Sequence, residues 1–250
     1  MTYLGTNGYQ FEFGRHALLV DPYFSRVDLL SIALGSRLQP DMPRVAEGMR
    51  HLAPKAEAIL VTHGHFDHLL DVPTIMSRTH ARLIASASAV HLAKSVGASS
   101  GDAVTPGDVR QIGPWKIRVL PATHDRLFGK VPFDQPETHG SGPPQHPADW
   151  ICGEPLAFLI EVGGQRIYID SGGTPALLRP MSAPILQFWA WHYQIHGRDC
   201  PVRSNVCSHG MFCRVTRTIS FGRWTLDFNS GRLRISRGYV TIANKQIAAT

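Results

Sequence analysis

No run of eighteen consecutive apolar residues occurs in this 250-residue chain, which excludes a transmembrane helix. The opening Met1-Thr2-Tyr3-Leu4-Gly5 lacks the basic region and apolar stretch of a signal peptide, so a cytoplasmic protein is expected. The four cysteines, Cys152, Cys200, Cys207 and Cys213, form neither a CxxC pair nor a disulfide ladder. Free, mostly buried thiols in a reducing compartment follow from that spacing. A positive surplus is missing from most of the chain as well. The net charge is +6, but residues 184–250 carry nine cationic side chains against Asp199 and Asp227, a local +7 that leaves −1 for the 183 residues before them. The basic balance therefore says little about what the larger part binds. What remains is an ordinary globular composition, 43% apolar and 18% charged, long enough for one sizeable core.

The chain is organised around Val61-Thr62-His63-Gly64-His65-Phe66-Asp67-His68-Leu69-Leu70-Asp71. The apolar run Ala58-Ile59-Leu60-Val61 in front of it reads as a buried strand. Alternate side chains share a face of a strand, so His63 and His65 are expected to emerge together where the strand ends, with Asp67 and His68 on the following turn. Gly64 permits close backbone approach there. Three imidazoles and a carboxylate suit zinc, with manganese or iron as alternatives.

His63-Gly64-His65-Phe66-Asp67-His68 resembles the HxHxDH signature of the metallo-β-lactamase superfamily. The resemblance implies an α/β fold, the αβ/βα four-layer sandwich of that superfamily, here with an atypical or incomplete C-terminal half. It extends from Tyr3 to about Leu178 and treats 1–250 as a single domain with an atypical tail at 184–250.

Around this centre, Tyr9–Phe13 and His16–Val20 with Gly14-Arg15 between them read as a hairpin. With Asp21-Pro22 at its end, it looks like the opening of the lactonase-like and phospholipase-like branch, in which the aspartate supports the metal loop from behind. Capping a turn before Pro22 is the other role open to Asp21. Residues 24–49 read as a loop with short helical pieces, expected to line one wall of the site. Asp71 and Pro73 mark a helix start, and Ser86 to Val96 a helix stopped by Gly97.

Trp115–Leu120 alternates as a strand and runs into Pro121-Ala122-Thr123-His124, a setting similar to that of the third histidine of the superfamily's first metal site. Residues 126–154 are rich in Pro, Gly and His and form a long loop of the kind that carries function; His139 and His146 within it are read as solvated. A Gly163-Gly164 hairpin then leads to Asp170-Ser171-Gly172-Gly173. That end resembles the strand-terminal aspartate that bridges two metals, and a helix-capping role is also open to it.

Residues 185–250 show no clear helical period and hold three of the five tryptophans. The resemblance calls for one last histidine there; His209 is chosen over His192 and His196 for its apolar approach and its distance from Asp170. Three readings of this tail are open: a divergent folded half, a basic aromatic surface for nucleic acid, or out-of-frame translation.

The resemblance thus implies that His63, His65 and His124 hold one metal and Asp67, His68 and His209 the other, with Asp170 between them. Two zinc ions would supply hydroxide at neutral pH to attack a small-molecule ester, lactone or phosphodiester. Asp67 is the catalytic candidate, as a ligand or as the base that orients water, and Asp21 and Asp71 are candidates to orient the ligand imidazoles. The alternatives are a tRNA-processing type of nuclease and a non-catalytic binding module on the same fold.

Overall fold

The structure, a computed structural model, describes residues 1–126, 129–134 and 142–170, together with the backbone of five short strands beyond them. The chain opens with strands β1 (Thr2–Gly5), β2 (Gly8–Phe13) and β3 (His16–Val20), followed by helices α1 (Leu29–Ala33) and α2 (Met42–Met49). The metal-loop region follows as β4 (Ala58–Leu60), α3 (Phe66–Leu69) and α4 (Val72–Thr79), then β5 (Arg82–Ala85), α5 (Ala87–Ser95) and β6 (Asp102–Ala103). Next come β7 (Val109–Ile112), β8 (Trp115–Pro121), β9 (Leu156–Val162) and β10 (Gln165–Asp170). The later strands are β11 (Leu186–Trp189), β12 (Thr218–Phe221), β13 (Trp224–Asp227), β14 (Arg232–Arg234) and β15 (Thr241–Ile242).

The strands form two sheets, in the orders β12-β13-β14-β1-β2-β3-β4-β5-β6 and β15-β11-β10-β9-β8-β7. The hairpin expected at Tyr9–Val20 is present, in the register Tyr9 to Val20 and Phe13 to His16. Strands β1 and β7 were not anticipated. Each is four residues long, and β7 alternates between intermediate and exposed positions, so neither carries an apolar run. Strand β9 behaves in the opposite way: six of its seven residues are buried, on both faces, as a central strand requires.

Two apolar layers hold the sheets. Leu18, Val20, Leu60 and Ile84 of the first sheet pack against Trp115, Ile117, Phe158, Ile160 and Ile169 of the second. On the other face of the first sheet, Leu19, Ile59, Val61 and Leu83 pack with Val45, Ile75, Met76, Ala89 and Leu92 from the helices. Each Val, Leu, Ile, Phe or Met among them, fully withdrawn from water, contributes about 1.5–3 kcal/mol. On the outer face of the second sheet, Ala157, Leu159 and Tyr168 are also buried.

Strand direction decides where function sits. Strands β3, β4 and β5 are parallel, so their C-terminal ends share one edge. Strands β8 and β10 both pair antiparallel with β9 and therefore run in the same direction as each other. Asp21, Thr62 and Ser86 leave the first sheet at its C-terminal edge, and His124 and Asp170 leave the second from the ends of β8 and β10.

Helix starts follow their local chemistry. Ser86 accepts from Ala89 N at the head of α5, and Asp41 accepts from Arg44 N at the head of α2. Gly97, with φ +107°, follows α5. Asp71 stands at the start of α4 as expected but makes no side-chain cap there. Its carboxylate turns instead to the backbone N–H groups of Phe24 and Ser25, at 2.6 and 2.8 Å, and to the Ser25 hydroxyl.

Candidate metal centre

The loop after β4 is fixed from two sides before any histidine is reached. Thr62 N donates to Asp21 Oδ1 at 2.8 Å, and the Thr62 carbonyl accepts from Leu156 N at 2.8 Å. Gly64 N donates to the Cys152 carbonyl at 3.0 Å. A Cβ on Gly64 would lie 2.4 Å from the Ile151 carbonyl oxygen, so only glycine lets the loop lie this close to the chain entering β9. From there the chain enters the single turn of α3, with Asp67 in its first turn and His68 in its last.

His63, His65 and His124 come together as expected. Their candidate ligand nitrogens all lie within 4.8 Å of one another, and all three residues are buried. The His63 ring centroid is 4.5 Å from that of His65, 4.6 Å from that of His124 and 4.0 Å from that of His68. His68 Nε2 lies 3.5 Å from Asp67 Oδ2. Asp170 is buried at the end of β10 and accepts from the Tyr168 hydroxyl at 3.2 Å. His209, His192, His196 and His139 lie outside the described residues. His146 is exposed and bonds the Gly35 carbonyl.

The hydrogen bonds assign a tautomer to each ring. His68 Nδ1 faces Asp21 Oδ2 at 2.9 Å, His124 Nδ1 faces the Asp125 carbonyl at 2.7 Å, and His65 Nε2 faces the Pro132 carbonyl at 2.9 Å. Carboxylate and carbonyl oxygens only accept, so each of those nitrogens carries the hydrogen. His63 Nδ1 meets the Thr62 hydroxyl at 3.1 Å, and that hydroxyl in turn donates to Asp21 Oδ2 at 2.7 Å.

The second nitrogens of the four rings are His63 Nε2, His65 Nδ1, His124 Nε2 and His68 Nε2. His63 Nε2 and His65 Nδ1 face each other at 2.9 Å, close enough to share one ion. Tetrahedral ligands about 2.0–2.1 Å from zinc stand roughly 3.3 Å apart, so both this spacing and that between His68 and Asp67 fit co-ligation. An oxygen acceptor behind each ligating imidazole is the arrangement by which proteins orient metal ligands. The donor set fits a transition-metal ion.

Asp21 therefore takes the supporting role, and at a backbone cost: its φ of +41° lies in the left-handed region, unusual for a residue other than glycine. Asp71 does not reach the imidazoles; it braces the 24–25 segment that follows Asp21. Burial holds its carboxyl above the ordinary carboxylate value, with the Ser25 and Phe24 donors acting against that rise. Burial, reinforced by the Asp170 charge, likewise raises the Tyr168 phenol.

The sequence reading missed Asn7, Thr62, Tyr168 and the Pro132-Phe133 segment. The Phe133 ring stands 5.9 Å from His65 and 6.2 Å from Phe66, screening that side of the cluster. Thr62 alone had a local signal, its place between the strand and the motif.

Comparison with known proteins shows the family of the chain. Residues 16–175 match the family model described as a beta-lactamase superfamily domain. A protein of Pelotomaculum thermopropionicum named UPF0173 metal-dependent hydrolase is 28% identical over 174 residues, a match covering 70% of this chain and 61% of that protein. A protein of the same name from Aeropyrum pernix is 27% identical, with 73% and 79% covered. The chain thus spans about six tenths of the first relative's length and eight tenths of the second's. Among solved structures, the metallo hydrolase Igni18 from Ignicoccus hospitalis aligns with a TM-score of 0.42 at 19% identity, over 67% of this chain and 57% of that one. With the motif match spanning well over half of its length, the chain belongs to the metallo-β-lactamase superfamily.

Proposed function

We propose that the chain is a metal-dependent hydrolase whose centre takes two ions, zinc in the first instance, and whose substrate is a small ester, lactone or phosphodiester. His63, His65 and His124 would hold one ion and Asp67, His68 and His209 the other, with Asp170 as a ligand available to both. Buried imidazoles gathered at one point, each with an oxygen behind it, are the observation that carries this reading. When bound, such a centre supplies water ionised near neutral pH and polarises the oxygen of the electrophile.

The chain's own residues do the rest. Asp21, Thr62 and the Pro132 and Asp125 carbonyls hold the ligand rings in the productive tautomer. Asp67, buried beside His68, serves as a ligand of the second ion, or as the base that orients the attacking water where a single ion binds. Phe66 and Phe133 limit the approach of bulk water from the His65 side. The names of the relatives support hydrolysis, and the substrate class rests on the likeness of the chain's opening to the lactonase-like and phospholipase-like branch. Cysteines without pair spacing support a reducing, cytoplasmic setting.

Elemental analysis of protein purified without chelators, with a panel of lactone, phosphodiester and β-lactam substrates, tests the reading. Near two metals per chain with turnover is the expected result, and His65→Ala is expected to reduce turnover to background while the far-UV circular dichroism is retained. A metal-free, inactive wild type would show a binding module instead. The cationic excess of 184–250 favours one second reading, a nucleic-acid phosphodiester as substrate. RNA binding that weakens steeply with salt would support it.

A further inference from the structure

We infer that Asn7 is a positioning residue that couples the two sheets' contributions to the second ion; the inference rests on the two-ion reading above. Asn7 sits in the turn between β1 and β2, is 1% exposed, and follows Thr6 with φ +49°. Its Nδ2 donates to Asp21 Oδ2 at 3.0 Å and to the Asp170 carbonyl at 3.3 Å. Both partners are acceptors, so the orientation of the amide is settled.

The two bonds reach opposite sheets. Asp21 Oδ2 also receives the His68 imidazole and the Thr62 hydroxyl, so Asn7 helps set the carboxylate that aims His68. The Asp170 carbonyl belongs to the last residue of β10, and fixing it fixes where the Asp170 carboxylate leaves the second sheet. His68 is assigned to the second ion and Asp170 to both, so the second ion depends on Asn7 through two ligands and the first through one; the His63, His65 and His124 cluster makes no bond to Asn7 among the described residues.

Asn7 Oδ1 is buried with no hydrogen-bond partner among the described residues, and an unsatisfied buried acceptor costs about 1–3 kcal/mol. An alanine would avoid that cost and would lose the link between Asp21 and Asp170.

The test is calorimetric titration of zinc into the metal-free full chain, comparing wild type, Asn7→Ala and Asn7→Asp, with the thermal midpoint of each metal-free protein. Asn7→Asp keeps the shape and replaces the donor with an acceptor. Both variants are expected to weaken the second binding event about tenfold or more and to leave the first within about twofold, as for other residues behind a metal ligand. Two wild-type events that persist unchanged in both variants overturn this inference alone. A wild type with one event or none overturns the two-ion reading as well. Equal weakening of both events with a fallen metal-free midpoint assigns Asn7 to folding and overturns the coupling. Should Asn7→Ala not fold, Asn7→Ser is read in its place, and failure of both to fold counts as that same folding outcome.

Discussion

The two ends of the sandwich use the same pair chemistry for different purposes. At the N-terminal edge of β3, β4 and β8, His16 Nδ1 meets Glu57 Oε1, and Glu57 Oε2 accepts from Trp115 Nε1 at 3.1 Å. At the C-terminal edge of the same strands, His68 Nδ1 meets Asp21 Oδ2, and His63, His65 and His124 gather beside it. The first pair is partly open to water, with side chains 32% and 21% exposed; the second is fully buried. A histidine–carboxylate pair is thus a strand clamp where one ring stands by itself, and part of a candidate metal centre where several rings gather at a common point. Parallel strands supply that convergence at their C-terminal ends, where successive loops leave the sheet side by side.

Several substitutions would break or sharpen this contrast. The largest effect is expected from Gly64→Ala. The new methyl would meet the Ile151 carbonyl at 2.4 Å, so the loop must shift, costing about 1–3 kcal/mol. Because the shift carries His63 and His65 with it, turnover and zinc binding should fall together; unchanged binding would show that the loop tolerates displacement. Asp21→Asn comes next, with an expected loss of about 10–100-fold in metal affinity, read by competition with a chromophoric chelator. At the opposite edge, Glu57→Gln should cost about 1 kcal/mol in a denaturant titration and leave kcat unchanged. A change in kcat there would mean that the two edges are coupled.

The smallest effect concerns Cys152, whose carbonyl holds Gly64. Burial pushes its thiol up to about 12. Above the ordinary thiol value of 9.0 the unfolded chain gives up a proton that the fold retains, so stability should decline as pH climbs from there towards 12. At pH 8, iodoacetamide should label the Cys152 peptide only after unfolding, as peptide mass mapping would show. Labelling of the native protein would mean that the layer beneath the metal loop opens readily.

Much of the site could be read directly from residue order. The HxHxDH spacing lies within one strand end and one helical turn, so local geometry brings His63, His65, Asp67 and His68 together whatever the rest of the chain does. His124 was legible for a related reason, since it follows an alternating strand that names its own end, and Asp170 stands at the end of its strand as the residue order suggested. Asp71 misled at close range: a helix start with Pro73 behind it has the local form of a cap, but a buried carboxylate goes to the strongest unpaired donors within reach, here the Phe24 and Ser25 N–H groups. Strands β1 and β7 carried too little apolar pattern to stand out.

By itself the sequence determined the strand-bound core, the candidate metal-ligating side chains near residue 65 and the superfamily, because these depend on periodicity and on contacts a few residues long. Tertiary structure alone decided which nitrogen each imidazole turns inward and what holds Asp21 and Asp170 in place. Those outcomes depend on pairings such as Asn7 with a carbonyl 163 residues later, and a hydrogen bond between two sheets leaves no periodic trace in either strand.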